Sequence, residues 1–164
     1  MSDQHATRYR RLFKYEKQSH AKVLAALQAV PAERRAAPEF QRAVDLFAHV
    51  VAAREMWLAR LGQGTKPSSL EPQGTTLAEL APRLAHMEAD WARYMTSLTD
   101  AEVHRGFDYQ SLDSGRFHNT VDEVLTQLYG HALYHRGQIS LCLKSLGEKP
   151  PTTDFILWAR VAAT

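Results

Sequence analysis

The sequence predicts an all-α fold, a four-helix bundle with a small hairpin or ordered loop before the fourth helix. Three observations carry that expectation. Four long segments repeat apolar residues at three-to-four spacing, the period of a helix with one buried face. Two of these segments open on a Thr-x-x-Glu box, which satisfies the free amides of a helix N-terminus. Between the segments, periodicity lapses and Gly, Pro and Ser gather.

The first segment runs from about Asp3 to Ala29, with Tyr9, Leu12, Phe13, Glu16, His20, Val23, Leu24 and Leu27 on a mostly apolar stripe. Pro31 stops it, since proline has no amide to donate. The second runs from about Pro38 to Leu61, and Leu46, His49, Val50, Ala53, Trp57 and Leu61 share a stripe. Gly62 and Gly64 end it, as C-terminal glycines do. Residues 62–75 read as a connecting loop. Thr76-Leu77-Ala78-Glu79 opens the third segment, which continues to about Leu98 with Leu77, Leu80, Leu84, Met87, Trp91, Tyr94 and Leu98 inward. Pro82 leaves two readings: a kink in the first turns, or a later helix start.

Residues 99–119 lose the helical period, and two short apolar-polar runs flank Leu112-Asp113-Ser114-Gly115, the pattern of a hairpin. Thr120-Val121-Asp122-Glu123 opens the fourth segment, which reaches about Leu146 and is closed by Gly147. The tail Asp154-Phe155-Ile156-Leu157-Trp158 is apolar enough to be expected back against the bundle.

A chain of 164 residues reads as one domain, residues 1–164. Its hydrophobic fraction of 45% is that of a globular protein. A net charge of +2 offers no electrostatic footprint for nucleic acid or an anionic membrane. The short basic cluster Arg8-Tyr9-Arg10-Arg11 reads as a solvated helix face. One cysteine, Cys142, excludes an intrachain disulfide and suits a reducing compartment. With no apolar leader and no long apolar run, the expectation is a cytoplasmic protein that neither spans nor binds a membrane.

Chemistry concentrates in the histidines. His131 and His135 lie four apart, on one face of the fourth helix, close enough for two imidazoles to reach one ion. Among eight histidines such a spacing arises readily by accident, so its context matters more. Val124, Leu128, His131, His135, Gln138 and Cys142 lie close to one stripe, and His49 lies on the stripe of helix two. All three imidazoles are therefore expected to face the bundle interior. Buried imidazoles need partners. Backbone carbonyls and hydroxyls would satisfy them one by one, as in ordinary core histidines; a shared metal would satisfy all three. Three neutral imidazoles with open positions suit a divalent transition metal, Zn or Ni first, then Fe, Mn or Cu. The run His131-Ala132-Leu133-Tyr134-His135 lacks the Glu of a zincin peptidase. Tyr134 projects about 100° from His135. Arg136 and Gln138 are expected to donate hydrogen bonds near the rim, and Cys142 to pack in the core. His5, His20, His86, His104 and His118 read as surface or loop residues, although His20 sits on a core stripe and could approach the site.

The stretches Asp45-Leu46-Phe47-Ala48-His49-Val50, Glu55-Met56-Trp57-Leu58 and Leu128-Tyr129-Gly130-His131-Ala132-Leu133-Tyr134-His135-Arg136-Gly137-Gln138-Ile139 resemble the DinB family of DinB/YfiT-like metalloenzymes. The His-x-x-x-His-Arg-Gly-Gln ending is the most specific of these features, and the late Pro-Pro and Asp154 to Trp158 fit the same pattern. The resemblance implies an up-down-down-up bundle, commonly a homodimer, with a metal triad at His49, His131 and His135. It also implies chemistry seen in members of that family: thiol-dependent transfer with bacillithiol, mycothiol or glutathione, or maleylpyruvate isomerisation. Catalytic and cofactor-binding residues beyond the triad stay unassigned.

Three functions follow as expectations. The first is a metal-dependent, thiol S-transferase-like enzyme that joins a low-molecular-weight thiol to a small-molecule electrophile. A hydrolase using metal-activated water is a variant of it. The second is a non-catalytic, stress-associated metal- or ligand-binding dimer. A nucleic-acid role ranks last, for want of a basic field.

Overall fold

In the computed structural model the described residues are 3–113 and 115–162. Ser114, in the expected turn, and residues 1–2 and 163–164 lie outside them. Helix α1 spans Gln4–Ala29, α2 Pro38–Arg60 and α3 Leu77–Ser97. A short α4, Asp100–Val103, precedes strands β1, Gly106–Gln110, and β2, Arg116–Thr120. Helix α5, Val121–Ser145, is the expected fourth long helix, and α6, Phe155–Ala159, lies in the tail.

Both capping boxes form. The Thr76 and Thr120 hydroxyls accept from the amides of Glu79 and Glu123, whose carboxylates accept from the cap amides in return. The third helix thus starts at its box, with Pro82 held inside it. Gly147, at φ 76°, takes the left-handed conformation that closes α5. A short 3₁₀ turn at Ala32–Arg34 and helix α4 fall where the sequence offered no period.

Side-chain partners fix the helix directions. Arg10 of α1 donates to the Leu98 carbonyl at 2.7 Å and His20 meets Glu88 at 3.0 Å, so α1 and α3 run antiparallel. Tyr9 donates to Asp122 at the start of α5, while Arg34, just past α1, reaches the Leu146 carbonyl, so α1 and α5 run parallel. Gln41 donates to the Thr75 carbonyl and Trp91 to that of Arg54, so α2 and α3 run parallel. The order is up-down-down-up. Strands β1 and β2 pair antiparallel, Asp108 opposite His118. Trp57 of α2 meets Tyr109 of β1 edge-on at 5.0 Å, and Arg60 lies over both rings at 4.6 Å from each, which seats the hairpin on the bundle.

The core of α2 is wider than the expected stripe. Val50, Ala53 and Leu61 of that stripe are buried, and so are Ala43, Val44, Phe47, Ala48, Val51 and Leu58 beside it, whereas Leu46, His49 and Trp57 are half-buried. Helix α2 packs against α5, α3 and α1, so most of its circumference is covered and the histidine stripe becomes a flank. On α5 the fully covered line is Val121, Val124, Leu128, Ala132, Arg136, Ile139 and Leu143. His131 and His135 border it.

One charged knot crosses this core. Glu16 of α1 accepts from Arg136 Nη1 of α5 at 2.7 Å and from Arg54 Nη2 of α2. Arg136 also donates to the Tyr15 hydroxyl at 2.8 Å. The expected placement of Arg136 near the rim is therefore corrected: it is buried, with its acceptors Glu16 and Tyr15 across the helix interface on α1. His20 is also buried rather than a surface residue. Its Nδ1 pairs with Glu88, and its Nε2, 3.9 Å from Glu16, is beyond hydrogen-bond reach. It does not join the other histidines. The basic cluster divides: Arg8 and Arg11 are exposed, but Tyr9 is buried.

The tail returns in part. Phe155 and Trp158 pack edge-on against Tyr15 at 5.2 and 5.7 Å, and the Tyr15 hydroxyl donates to the Thr153 carbonyl. Ile156, on the outer side of the short helix, is 70% exposed. No helix among the described residues is long and apolar enough to cross a membrane.

Candidate metal centre

Helices α2 and α5 run antiparallel along the closest seam of the bundle, and His49, His131 and His135 meet across it. The ring centroids stand 4.8 Å apart for His49 and His131, 4.7 Å for His49 and His135, and 4.4 Å for His131 and His135. One nitrogen from each lies within 4.8 Å of the others, and His49 Nε2 is 2.9 Å from His131 Nε2. Around a tetrahedral ion with bonds of about 2.0–2.1 Å, donors sit roughly 3.3 Å apart. The triad brackets that separation, so small ring rotations would bring all three lone pairs onto one ion.

The outer nitrogens show why these rings suit a cation. His49 Nδ1–H donates to the Leu70 carbonyl at 2.6 Å, which leaves Nε2 as a bare lone pair facing inward. His135 Nδ1–H donates to Gln138 Oε1 at 2.7 Å, with the same result. The Gln138 amide donates in turn to the Tyr134 hydroxyl at 3.3 Å. Such outer partners set tautomer and ring orientation in metal sites. Without a cation, the facing Nε2 atoms of His49 and His131 need a proton between them; a cation can use both lone pairs.

Electrostatics favours the neutral rings. Burial pushes His131 down to about 4, helped by the neighbouring His135 and His49 and by Arg54, while Glu16 opposes. Burial also lowers His135, against the hydrogen bond it donates to Gln138. A protonated triad would set like charges side by side at a half-buried seam.

The remaining candidates separate cleanly. Tyr134 is exposed; its hydroxyl accepts from Gln138 and its ring meets that of His135 edge-on at 5.0 Å. Cys142 is buried and pushed up by that burial, as a packing thiol is. His118 pairs with Asp108 on the hairpin, and the rings of His5 and His104 touch each other, far along the chain from the triad.

Two open spaces reach the triad. A groove of about 640 Å³ runs beside the first half of α2 to His49 and His135, walled by Leu46, Pro72, Arg42, Asp45 and Glu71. A cleft of about 150 Å³ approaches His49 and His131 from the other side, between Ala53, Met56, Trp57, Leu70 and Leu128. The carboxylates missing beside the histidine pair in sequence are here. Asp45 accepts from Gln41 and from the amides of Gly74 and Thr75, latching the loop that carries Leu70 toward α2. Loop 62–75 had no period from which this could be read; a carboxylate one helical turn before His49 was the available signal.

The whole-chain pattern matches the model of the DinB family over residues 1–163. The chain belongs to the DinB family. Its up-down-down-up order and its clustered histidines are the features that membership led us to expect. No curated protein matches this DinB-family chain.

Proposed function

We propose that this DinB-family protein binds one divalent transition metal through His49, His131 and His135 and uses it in a thiol-dependent transfer to a small electrophile. The observation that carries the proposal is the convergence of three imidazole nitrogens, two of them with the outer N–H already held by an acceptor. When bound, such an ion supplies Lewis acidity that lowers the pKa of a thiol or a water.

The chain's own residues do the rest. Leu70 and Gln138 hold His49 and His135 in register. Asp45 holds the loop that bears Leu70. The large groove receives the thiol and the smaller apolar cleft receives the electrophile. In the transfer, the thiol loses its proton to solvent through the open groove. Its sulfur forms a bond to the electrophilic carbon, and the bonding pair goes to the displaced group, which departs as halide or, in an epoxide, stays attached as an alkoxide that takes a proton from solvent. Access from two sides favours this reading over hydrolysis, which needs room for one organic substrate and a water. The buried Cys142 accords with a reducing, cytoplasmic setting, and homodimerisation belongs to the same reading.

Metal-loaded protein assayed with a panel of thiols and an aryl halide or epoxide tests the proposal. Thiol-dependent loss of the electrophile above the metal-free background is expected. Tight metal uptake with no turnover across the panel would favour the non-catalytic ligand-binding dimer. Turnover without thiol would favour the hydrolase.

Acid should release the metal below the ordinary imidazole range. Ligation needs neutral rings, and His131, at about 4, and the lowered His135 resist protonation. The midpoint for metal loss is therefore expected below pH 6.5. In metal-free protein the sign is the same. A folded-state value below the unfolded one means the unfolded chain binds more protons, so stability falls as pH drops from 6.5 toward 4. Competition titrations between pH 8 and pH 4 check this; a midpoint at or above 6.5 would contradict it.

A further inference from the structure

The geometry points to Arg42 as the anchor for a single carboxylate on the ligand that occupies the large groove. This inference rests on the proposed metal at the triad and specifies what kind of molecule reaches it.

The polar groups along the groove divide into two sets. Asp45, Gln41 and His49 are committed: they hold the loop or are held by it. Arg42, Glu71 and the neutral Gln73 are not. None of these three side chains makes a hydrogen bond or ion pair among the described residues, all three are exposed on the groove walls, and Arg42 is the cation among them. Arg42 precedes His49 by seven residues on α2, about two turns, so both lie on one face and roughly 10 Å apart along the axis. A guanidinium there, with five donors and a permanent charge, is built for a planar oxyanion. Leu46 lies between them on α2, and Pro72 adds an apolar wall from the loop; both suit an apolar spacer.

Glu71 limits the charge. It lies on the wall formed by the loop, and Asp45 adds a second, committed carboxylate. Glu39, one turn before Arg42, is also exposed. Against these, a phosphate dianion meets more repulsion than a carboxylate monoanion. The ligand class is therefore a chain with a soft donor at one end and one carboxylate at the other.

The test uses Co(II)-loaded protein and reads ligand binding by the visible spectrum of the ion. Three probes share one length: mercaptohexanoate, mercaptohexanol and mercaptohexyl phosphate. The acid is expected to bind about tenfold more tightly than the alcohol, one charge-assisted contact in scale. The phosphate is expected to fall below the acid. Arg42→Gln should bring the acid to the level of the alcohol and leave the alcohol as it was. Because Arg42 is exposed and unpaired, the substitution leaves the core intact, and an unchanged Co(II) spectrum verifies that. Equal binding of acid and alcohol in the wild type, or equal weakening of both by Arg42→Gln, overturns the anchor. A phosphate that binds as well as the acid overturns the choice of carboxylate. Failure to take up Co(II) at all would overturn the metal reading itself, and is seen before any probe is added.

Discussion

Glu16→Gln is expected to destabilise the metal-free protein by about 3–5 kcal/mol, the cost of leaving buried charges without their partner. Glu16 is buried between two guanidiniums, Arg54 and Arg136, whose Nε atoms have no partner among the described residues. Burial alone would raise its carboxyl; Arg54, His20 and Arg136 together outweigh burial and hold it below the usual carboxylate range. The amide of glutamine keeps the shape and removes the charge. For a chain of this size the loss corresponds to roughly 6–20 °C in Tm. Urea unfolding of both proteins measures it. A change under about 1 kcal/mol would mean that water already reaches the two arginines. Replacing all three charged residues, as Glu16→Leu with Arg54→Met and Arg136→Met, should recover much of the loss, since a well-packed apolar trio needs no partners.

His49→Ala is expected to remove tight metal binding while leaving the helices in place. Two imidazoles remain on α5, but the only ligand from α2 is gone, so the seam is no longer bridged. The scaffold half of the prediction follows from the packing of α2. Val44, Phe47, Ala48, Val51 and Leu58 stay buried, and each large apolar side chain among them contributes on the order of 1–3 kcal/mol. His49 itself is half-buried on the flank of that core. Circular dichroism of metal-free wild type and variant should agree, while metal affinity should fall at least a hundredfold. Retained affinity would mean that His49 is an ordinary histidine satisfied by Leu70. Unfolding of the metal-free variant would mean that its hydrogen bond to the loop matters more than its free lone pair.

The helices and the triad were legible because both depend on local spacing. A Thr-x-x-Glu box states where α3 and α5 begin, and a pair four apart states that His131 and His135 share a face. His49 has no such local partner; its place on a half-apolar stripe and the family resemblance marked it. What escaped depends on contacts between distant parts of the chain. Arg136 looked like a rim residue because a charge beside a histidine normally seeks water; its acceptor lies 120 residues away on α1. On α2 only Val50, Ala53 and Leu61 of the expected stripe are buried, and the core extends round to Val44, Phe47 and Val51, because a helix covered by three neighbours loses its single-sided period. The Leu70 carbonyl, which orients His49, sits in a loop whose course is set by Asp45 and not by any repeat. The tail shows the same limit: its apolar character predicted contact, but only Phe155 and Trp158 face the bundle.

The central claim is that three half-buried histidines form one metal site. Titration of metal-free protein, prepared without a polyhistidine tag, with Zn(II) or Ni(II) at neutral pH tests it most directly. The account predicts saturation at about one ion per chain, as for a single three-histidine site, and loss of that binding in the His131→Ala/His135→Ala double variant. Wild-type binding no tighter than that of the double variant would contradict it.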